Sequence, residues 1–172
     1  MICPFCQHEN IAGEDTCAEC GQSLIGMDEA ADDLGDSISS HAIELLNPRE
    51  PVFIAPGDPL KDAVRLMVEN HIGCLLVVHD DVLIGIITER DVLNKGADDD
   101  AHLEQPVVEF MTAAPVTIRR QDSIAYALHA MDLGGYRHMP IVDETGRPTA
   151  IISVRDILRF LCVRFADSRA AS

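Results

Sequence analysis

The sequence predicts an α+β (mixed α/β) protein made of two tandem β-α-β-β-α units behind a small four-cysteine ribbon. Three observations predict it. The C-terminal part repeats itself at a fixed offset, the hydrophobic period within each copy switches from helical to strand-like, and the first twenty residues hold two Cys-x2-Cys pairs.

Pro51, Asp58, Leu60, Ala63, Met67, Leu76 and Val77 fall on Pro115, Asp122, Ile124, Ala127, Met131, Pro140 and Ile141 at an offset of 64 residues. One inserted residue at the turn Gly146-Arg147-Pro148 makes the offset 65, so that Thr88, Asp91 and Leu93 fall on Ser153, Asp156 and Leu158. Each copy opens with a short extended piece, 52–55 or 116–119, that leads to an aspartate able to cap a helix. Pro59 follows Asp58 at the position where proline starts a helix well. Leu60, Val64, Met67 and Val68 then keep a helical stripe that Ile124, Leu128 and Met131 repeat. The helices stop at Asn70-His71 and at Gly134-Gly135, where a left-handed cap is tolerated. Two apolar strands joined by a hairpin follow, 74–78 with 83–87 and 139–142 with 150–152. A second helix begins near Arg90 or Arg155; in the second copy Ile157, Leu158, Leu161, Cys162 and Phe165 form one apolar face.

The boundaries are then a ribbon at 1–26, an acidic linker at 27–41 able to carry a short helix, a first repeat at 42–98, an inter-repeat linker at 99–106, a second repeat at 107–166 and a tail at 167–172. Asp98-Asp99-Asp100 reads as solvated connection. A unit of about sixty residues buries only about 60% of its unfolded surface, so the two copies are expected to pack on each other.

Charge separates the parts. The 172 residues carry 29 acids and 13 bases, a formal charge of -16, and the first fifty hold eleven acids against Arg49 alone. A phosphate backbone would be repelled, and with no Trp and two Tyr the chain lacks stacking platforms, which argues against nucleic-acid binding. The N-terminus lacks the pattern of a secretory signal, and the longest apolar runs fall far short of the ~20 residues of a membrane span. The expectation is a cytoplasmic protein with no membrane partner and reduced or metal-bound thiols.

Cys3, Cys6, Cys17 and Cys20 form two close pairs ten residues apart, a spacing suited to a closed tetrahedral Zn2+ site. Iron on four thiolates is the alternative, because geometry does not separate the two metals. A redox disulfide pair would need one Cys-x2-Cys beside a βαβ unit, which is not the pattern here. The stretch resembles a small zinc ribbon, with Asn10 and Gly13 in the hairpin between knuckles. About twenty-five residues this polar need the metal to fold. The ribbon holds no Lys or Arg, so it suits a protein partner better than DNA or RNA. Cys74 and Cys162 are read as core thiols, and His41, His71, His79, His102 and His129 as surface histidines without ligand spacing.

The repeats resemble the CBS (cystathionine-beta-synthase-type) domain pair, or Bateman module. The resemblance rests on Gly85-Ile86-Ile87-Thr88-Glu89-Arg90-Asp91, on Ala150-Ile151-Ile152-Ser153-Val154-Arg155-Asp156 and on Arg137-His138-Met139-Pro140-Ile141-Val142, and it covers residues 42–165. It implies a regulatory module rather than a catalyst. Such a module would take an adenosine nucleotide (AMP, ADP, ATP) or S-adenosylmethionine in clefts between the repeats, and would form a homodimer. Thr88 with Asp91 and Ser153 with Asp156 then suit ribose hydroxyls, although the same three-residue spacing is also a helix capping box. The resemblance places Arg137 and His138 at a phosphate, with Arg90, Arg119 and Arg155 as weaker candidates. Thr112, Pro115, Ile141 and Ile151 would line the adenine pocket. The first repeat departs from this pattern, with Gly73-Cys74 where the second has Arg137-His138, so its phosphate site is doubtful. Absence of a nucleophile elbow or a P-loop points away from catalysis. The expected function is a ligand sensor that signals to an unidentified protein partner. The alternative is an adapter whose zinc ribbon binds that partner while the CBS pair serves only as a dimerisation scaffold.

Overall fold

The computed structural model describes residues 2–3, 5–11, 14–24, 41–96 and 100–170. The acidic linker and Gly13 therefore lie outside the described residues, apart from His41 at the linker's end. Among the described residues ten strands and α-helices follow the ribbon: β1 (Phe53–Ile54), α1 (Leu60–Asn70), β2 (Cys74–His79), β3 (Val82–Thr88), α2 (Glu89–Asp91), β4 (Thr112–Ala113), α3 (Ile124–Gly134), β5 (His138–Val142), β6 (Pro148–Ser153) and α4 (Val154–Ala170).

Helix α1 buries Leu60, Ala63 and Met67, whereas Val68, placed on the stripe by periodicity, is 66% exposed. The apolar face is thus centred one residue over, toward Ala63, whose small side chain allows close packing. Asp58 does not cap the helix. Its carboxylate instead accepts the Ala55 N–H at 3.0 Å, and Pro59 occupies the cap position without a side-chain bond. In the second copy Asp122 likewise accepts from Arg119 N–H at 2.7 Å, and Ser123 caps α3 by accepting from Tyr126 N–H. The stops are where the sequence places them: His71 and Gly135 both take left-handed φ, 54° and 66°.

Strand β2 is apolar on both faces because both are covered. Leu75, Val77 and Ile87 pack with α1 residues Leu60, Ala63 and Met67, and Cys74, Leu76 and Ile86 form a second cluster with Ile151. Strand order is β1-β2-β3-β4, with β1 parallel to β2 and the other pairs antiparallel; β5 and β6 form a two-stranded sheet. Gly85 lets β4 approach β3, since a Cβ there would lie 3.1 Å from the Thr112 carbonyl oxygen and would meet the Met111 side chain.

Two compact units cut across the sequence repeats. One comprises Met1–Pro48, Arg119–Arg137 and Ile152–Ser172, the other Arg49–Ile118 and His138–Ile151. In the first unit Ile43 N–H donates to the Asp122 carbonyl (2.8 Å), Glu44 N–H to Arg120 (3.1 Å), and Ile124 N–H to His41 (3.0 Å). In the second, Val107 N–H donates to Asp58 (2.8 Å), Val108 N–H to Pro56 (3.1 Å) and Leu60 N–H to Gln105 (2.9 Å). These are the same three bonds, displaced by 64 residues. Each repeat's leader thus satisfies its backbone on the other repeat's helix entry, which is why contiguous boundaries and compact units differ.

The second helices are unequal. After Glu89–Asp91 the first passes into a π-helical turn, Val92–Gly96, whereas α4 runs to Ala170, into the stretch read as tail. Only part of its expected apolar face is buried. Ile157 is fully covered, but Leu158 is 53% exposed and Cys162 is exposed, so Cys162 is not a core thiol. Among the described residues no helix is long and apolar enough to cross a membrane.

Candidate functional site

The ribbon is built from two equivalent knuckles. Gln7 N–H donates to the Cys3 carbonyl (2.8 Å) and Cys3 N–H to His8 (2.8 Å); fourteen residues on, Gly21 N–H donates to Cys17 (2.9 Å) and Cys17 N–H to Gln22 (2.7 Å). Gln7 and Gly21 both have positive φ, 61° and 71°, so glutamine adopts the turn that glycine adopts more cheaply. The four Sγ atoms lie within 4.8 Å of one another, with Cys3 to Cys20 at 3.7 Å and Cys6 to Cys17 at 3.5 Å. A disulfide needs about 2.05 Å. A tetrahedron of thiolates about 2.3 Å from Zn2+ has edges of about 3.8 Å, which these distances approach.

Electrostatics divide the thiols. Burial pushes Cys17 up, but the backbone N–H groups of Cys20 and Glu19, the Asn10 amide and the Cys6 thiol more than offset it and bring it to about 6. Burial, with hydrogen bonds from the other cysteines, pushes Cys6 up to about 12, and Cys20 is also raised, chiefly by burial. Asn10 is 6% exposed and holds the second knuckle: its Nδ2 reaches Cys17 Sγ at 3.5 Å and its Oδ1 accepts Ala18 N–H at 2.9 Å. Sequence reasoning placed Asn10 in the hairpin without this role; a buried amide next to a cysteine pair is the signal that could have found it.

In the first repeat Thr88 closes a capping box. Its N–H and Oγ1 both donate to Asp91 Oδ2, at 3.0 and 2.6 Å, and Asp91 N–H donates back to Oγ1 at 3.3 Å. Lys95 Nζ lies 3.4 Å from Asp91 Oδ1. In the second, Ser153 N–H and Oγ donate to Asp156 Oδ2 at 2.8 and 2.6 Å. Each pair is partly accessible, and each stands at the end of an apolar strand.

The strand openings meet these turns at equivalent points. Val154 N–H donates to the Arg137 carbonyl and Glu89 N–H to the Gly73 carbonyl, both at 3.0 Å. Arg137 is exposed and His138 half-buried, while Arg90, Arg119 and Arg155 are exposed. Glu89 leans over Gly73, where an added Cβ would lie 3.3 Å from its Oε2. The first repeat thus has Gly73, with the Glu89 carboxylate over it, at the position of Arg137, and the second has Val154 at the position of Glu89, a difference visible in sequence only once the 64- and 65-residue offsets are applied to both partners. Thr112, exposed, pairs with Ile86, two residues before Thr88, and Pro115 is half-buried. Ile141 is fully buried and bridged to Ile118, so its side chain offers a ligand no surface. Ile151 is half-buried against Cys74, Leu76 and Ile86, and exchanges backbone bonds with Arg49, which the sequence reading noted only for its charge.

Tandem repeats of this α+β form, each ending a strand in a hydroxyl–carboxylate turn, define a paired-repeat domain. The chain belongs to the CBS domain family, whose model matches residues 43–98 and 107–163, about two thirds of its length. It is 31% identical over 109 residues to an uncharacterized 17.7 kDa protein of Acidianus ambivalens, covering 63% of this chain and 65% of that protein. It is 26% identical over 167 residues to the CBS domain-containing protein CBSCBSPB1 of Arabidopsis thaliana, covering 87% of this chain and 31% of the relative. The chain therefore spans less than two thirds of these relatives. A CBS-domain-containing protein of Agrobacterium tumefaciens superposes with a TM-score of 0.62 at 29% identity, over 69% of this chain and 98% of that one. A CBS domain protein of Pyrobaculum aerophilum, complexed with AMP, does so with a TM-score of 0.62 at 22% identity, over 72% and 99%.

Proposed function

We propose that the chain is a regulatory ligand-sensing module that binds an adenosine nucleotide or S-adenosylmethionine at its CBS repeats and passes the signal to a protein partner. The observation carrying this reading is the repeated pair: a hydroxyl and a carboxylate 2.6 Å apart, at the same strand-to-helix turn in both repeats. A ribose presents vicinal hydroxyls that both donate and accept, which such a pair matches. The second repeat adds Arg137 for phosphate, a group guanidinium binds in bidentate fashion. The same fold holds AMP in the Pyrobaculum protein. Zn2+ on Cys3, Cys6, Cys17 and Cys20 is the proposed metal, and self-association through the CBS pair the proposed assembly.

The test is thermal unfolding of zinc-loaded protein against AMP, ADP, ATP, S-adenosylmethionine and GTP. A ligand at 100 times its dissociation constant stabilises by about 2.7 kcal/mol, raising the midpoint by roughly 5–10 °C at this size. A shift with an adenosine ligand and none with GTP is the expected result; no shift with any overturns the sensor reading.

One observation favours a second reading. Both carboxylates are already engaged by their own turn, so the site is chemically satisfied without ligand. On that reading the CBS pair is a dimerisation scaffold and the ribbon the partner-binding adapter. Retention of a protein partner by the ribbon, unaffected by Asp91→Ala and Asp156→Ala together, would single it out.

A further inference from the structure

His129 sits in the middle of α3 and is only 8% exposed, against the surface position its sequence suggests. Two residues from the far end of the chain cover it. The Phe5 ring lies 5.4 Å from the imidazole, centroid to centroid, at 55°. Gln22 Nε2 lies 3.2 Å from Nδ1. The two side chains are hydrogen-bonded, with donor and acceptor set by the imidazole tautomer. The imidazole Nε2 is itself buried with no hydrogen-bond partner among the described residues.

The two covering residues come one from each knuckle. Phe5 stands between Cys3 and Cys6, and the Gln22 carbonyl accepts the Cys17 N–H. Their positions depend on the cysteines being gathered, because among the described residues the ribbon's own core is small: Cys3, Cys17 and Leu24, with Phe5, Cys6 and Cys20 against it. Such a core does not hold a fold without metal. Docking also costs something, since the buried imidazole Nε2 is left without a partner among the described residues.

We infer that the ribbon is a metal-dependent clamp on α3 of the second CBS repeat, with His129 as the residue it grips. The inference rests on the four cysteines binding a metal. When metal leaves, Phe5 and Gln22 lose their fixed positions and the α3 face around His129 is uncovered. Because coupling between two sites is reciprocal, a change at His129 must weaken metal binding at cysteines more than a hundred residues away in sequence. The surface the clamp covers is the one a metal-poor protein would expose.

The experiment uses the full chain and Zn2+ alone. Zinc affinity is measured by competition with a chromophoric chelator for the wild type, His129→Ala and Gln22→Ala, and amide hydrogen exchange of α3 is followed with and without zinc. Both variants are expected to weaken zinc binding about fivefold or more, with all four cysteines intact. Zinc removal is expected to speed exchange in α3 as well as in the knuckles. Gln22→Ala leaves α3 untouched, so it separates loss of the clamp from damage to the helix. Exchange in α3 that ignores zinc, or zinc affinity unchanged in both variants, overturns the clamp. Failure of the wild type to retain zinc overturns the metal reading and the clamp with it.

Discussion

Ser153 directs both its amide and its hydroxyl at one oxygen of Asp156, Oδ2, at 2.8 and 2.6 Å. The arrangement is the carboxylate half of a capping box and, if the proposed function holds, the ribose-binding pair as well. The two roles are compatible because the ribose would approach a carboxylate whose geometry the cap already fixes. Preorganisation of that kind lowers the ordering cost of binding.

Removing the carboxylate therefore carries two separable effects. Asp156→Ala loses a cap contact worth about 1 kcal/mol, read by denaturant unfolding without ligand. It should also abolish nucleotide binding more completely than Asp91→Ala, because Arg137 stands only in the second repeat. Calorimetric titration of the two variants checks the order. Equal losses, or none, would remove the site assignment while leaving the cap intact.

Asn10 is the simplest test of the ribbon. Asn10→Ala leaves all four cysteines in place but removes the amide from Cys17 Sγ and the acceptor for Ala18 N–H. Groups that orient metal ligands typically contribute 10–100-fold in affinity. Zinc binding should weaken by about tenfold or more, with one ion still bound per chain by elemental analysis. Unchanged affinity would mean that the knuckle backbone alone sets the geometry.

The repeat made much of this legible. The offset between Asp91 and Asp156 located both hydroxyl–carboxylate turns, and Asn70-His71 and Gly134-Gly135 marked the helix stops through backbone preference alone. The exchange of leaders was not legible, because the Ile43-to-Asp122 and Val107-to-Asp58 bonds join backbone groups and leave no side-chain pattern. The burial of His129 was hidden for another reason: its cover, Phe5 and Gln22, comes from a segment more than a hundred residues away. Helical spacing put Cys162 on the face of Ile157, yet of the described side chains on that face only Ile157 is fully covered.

The difference between the repeats at Gly73 and Arg137 predicts selectivity. With the second site disabled by Asp156→Ala, residual binding at Thr88 and Asp91 should favour adenosine over AMP, since Glu89 lies against Gly73 where the second repeat has Arg137. Glu89 is exposed, so water screens it and the effect is modest. Glu89→Gln should raise AMP affinity about two- to fivefold with adenosine unchanged. An equal gain for both ligands would assign Glu89 a steric role instead.

The two cysteines outside the ribbon should differ sharply toward thiol reagents. Burial, and then the charge of Glu89, push the Cys74 thiol up to about 12, whereas Cys162 is exposed on α4. Zinc-loaded protein at pH 8 should therefore show one fast-reacting thiol, lost in Cys162→Ser, because the thiolate is the nucleophile. Cys74 should react only as the fold opens. Its raised value also sets a direction for stability: the folded state holds the Cys74 proton where the unfolded chain releases it. The contribution is complete below the ordinary thiol value near 9 and is lost as pH rises from there toward about 12. Cys74→Ala should flatten that alkaline loss of stability, measured by denaturant midpoints across the range. A wild-type midpoint that stays level through it would show that the Cys74 proton is not held by the fold.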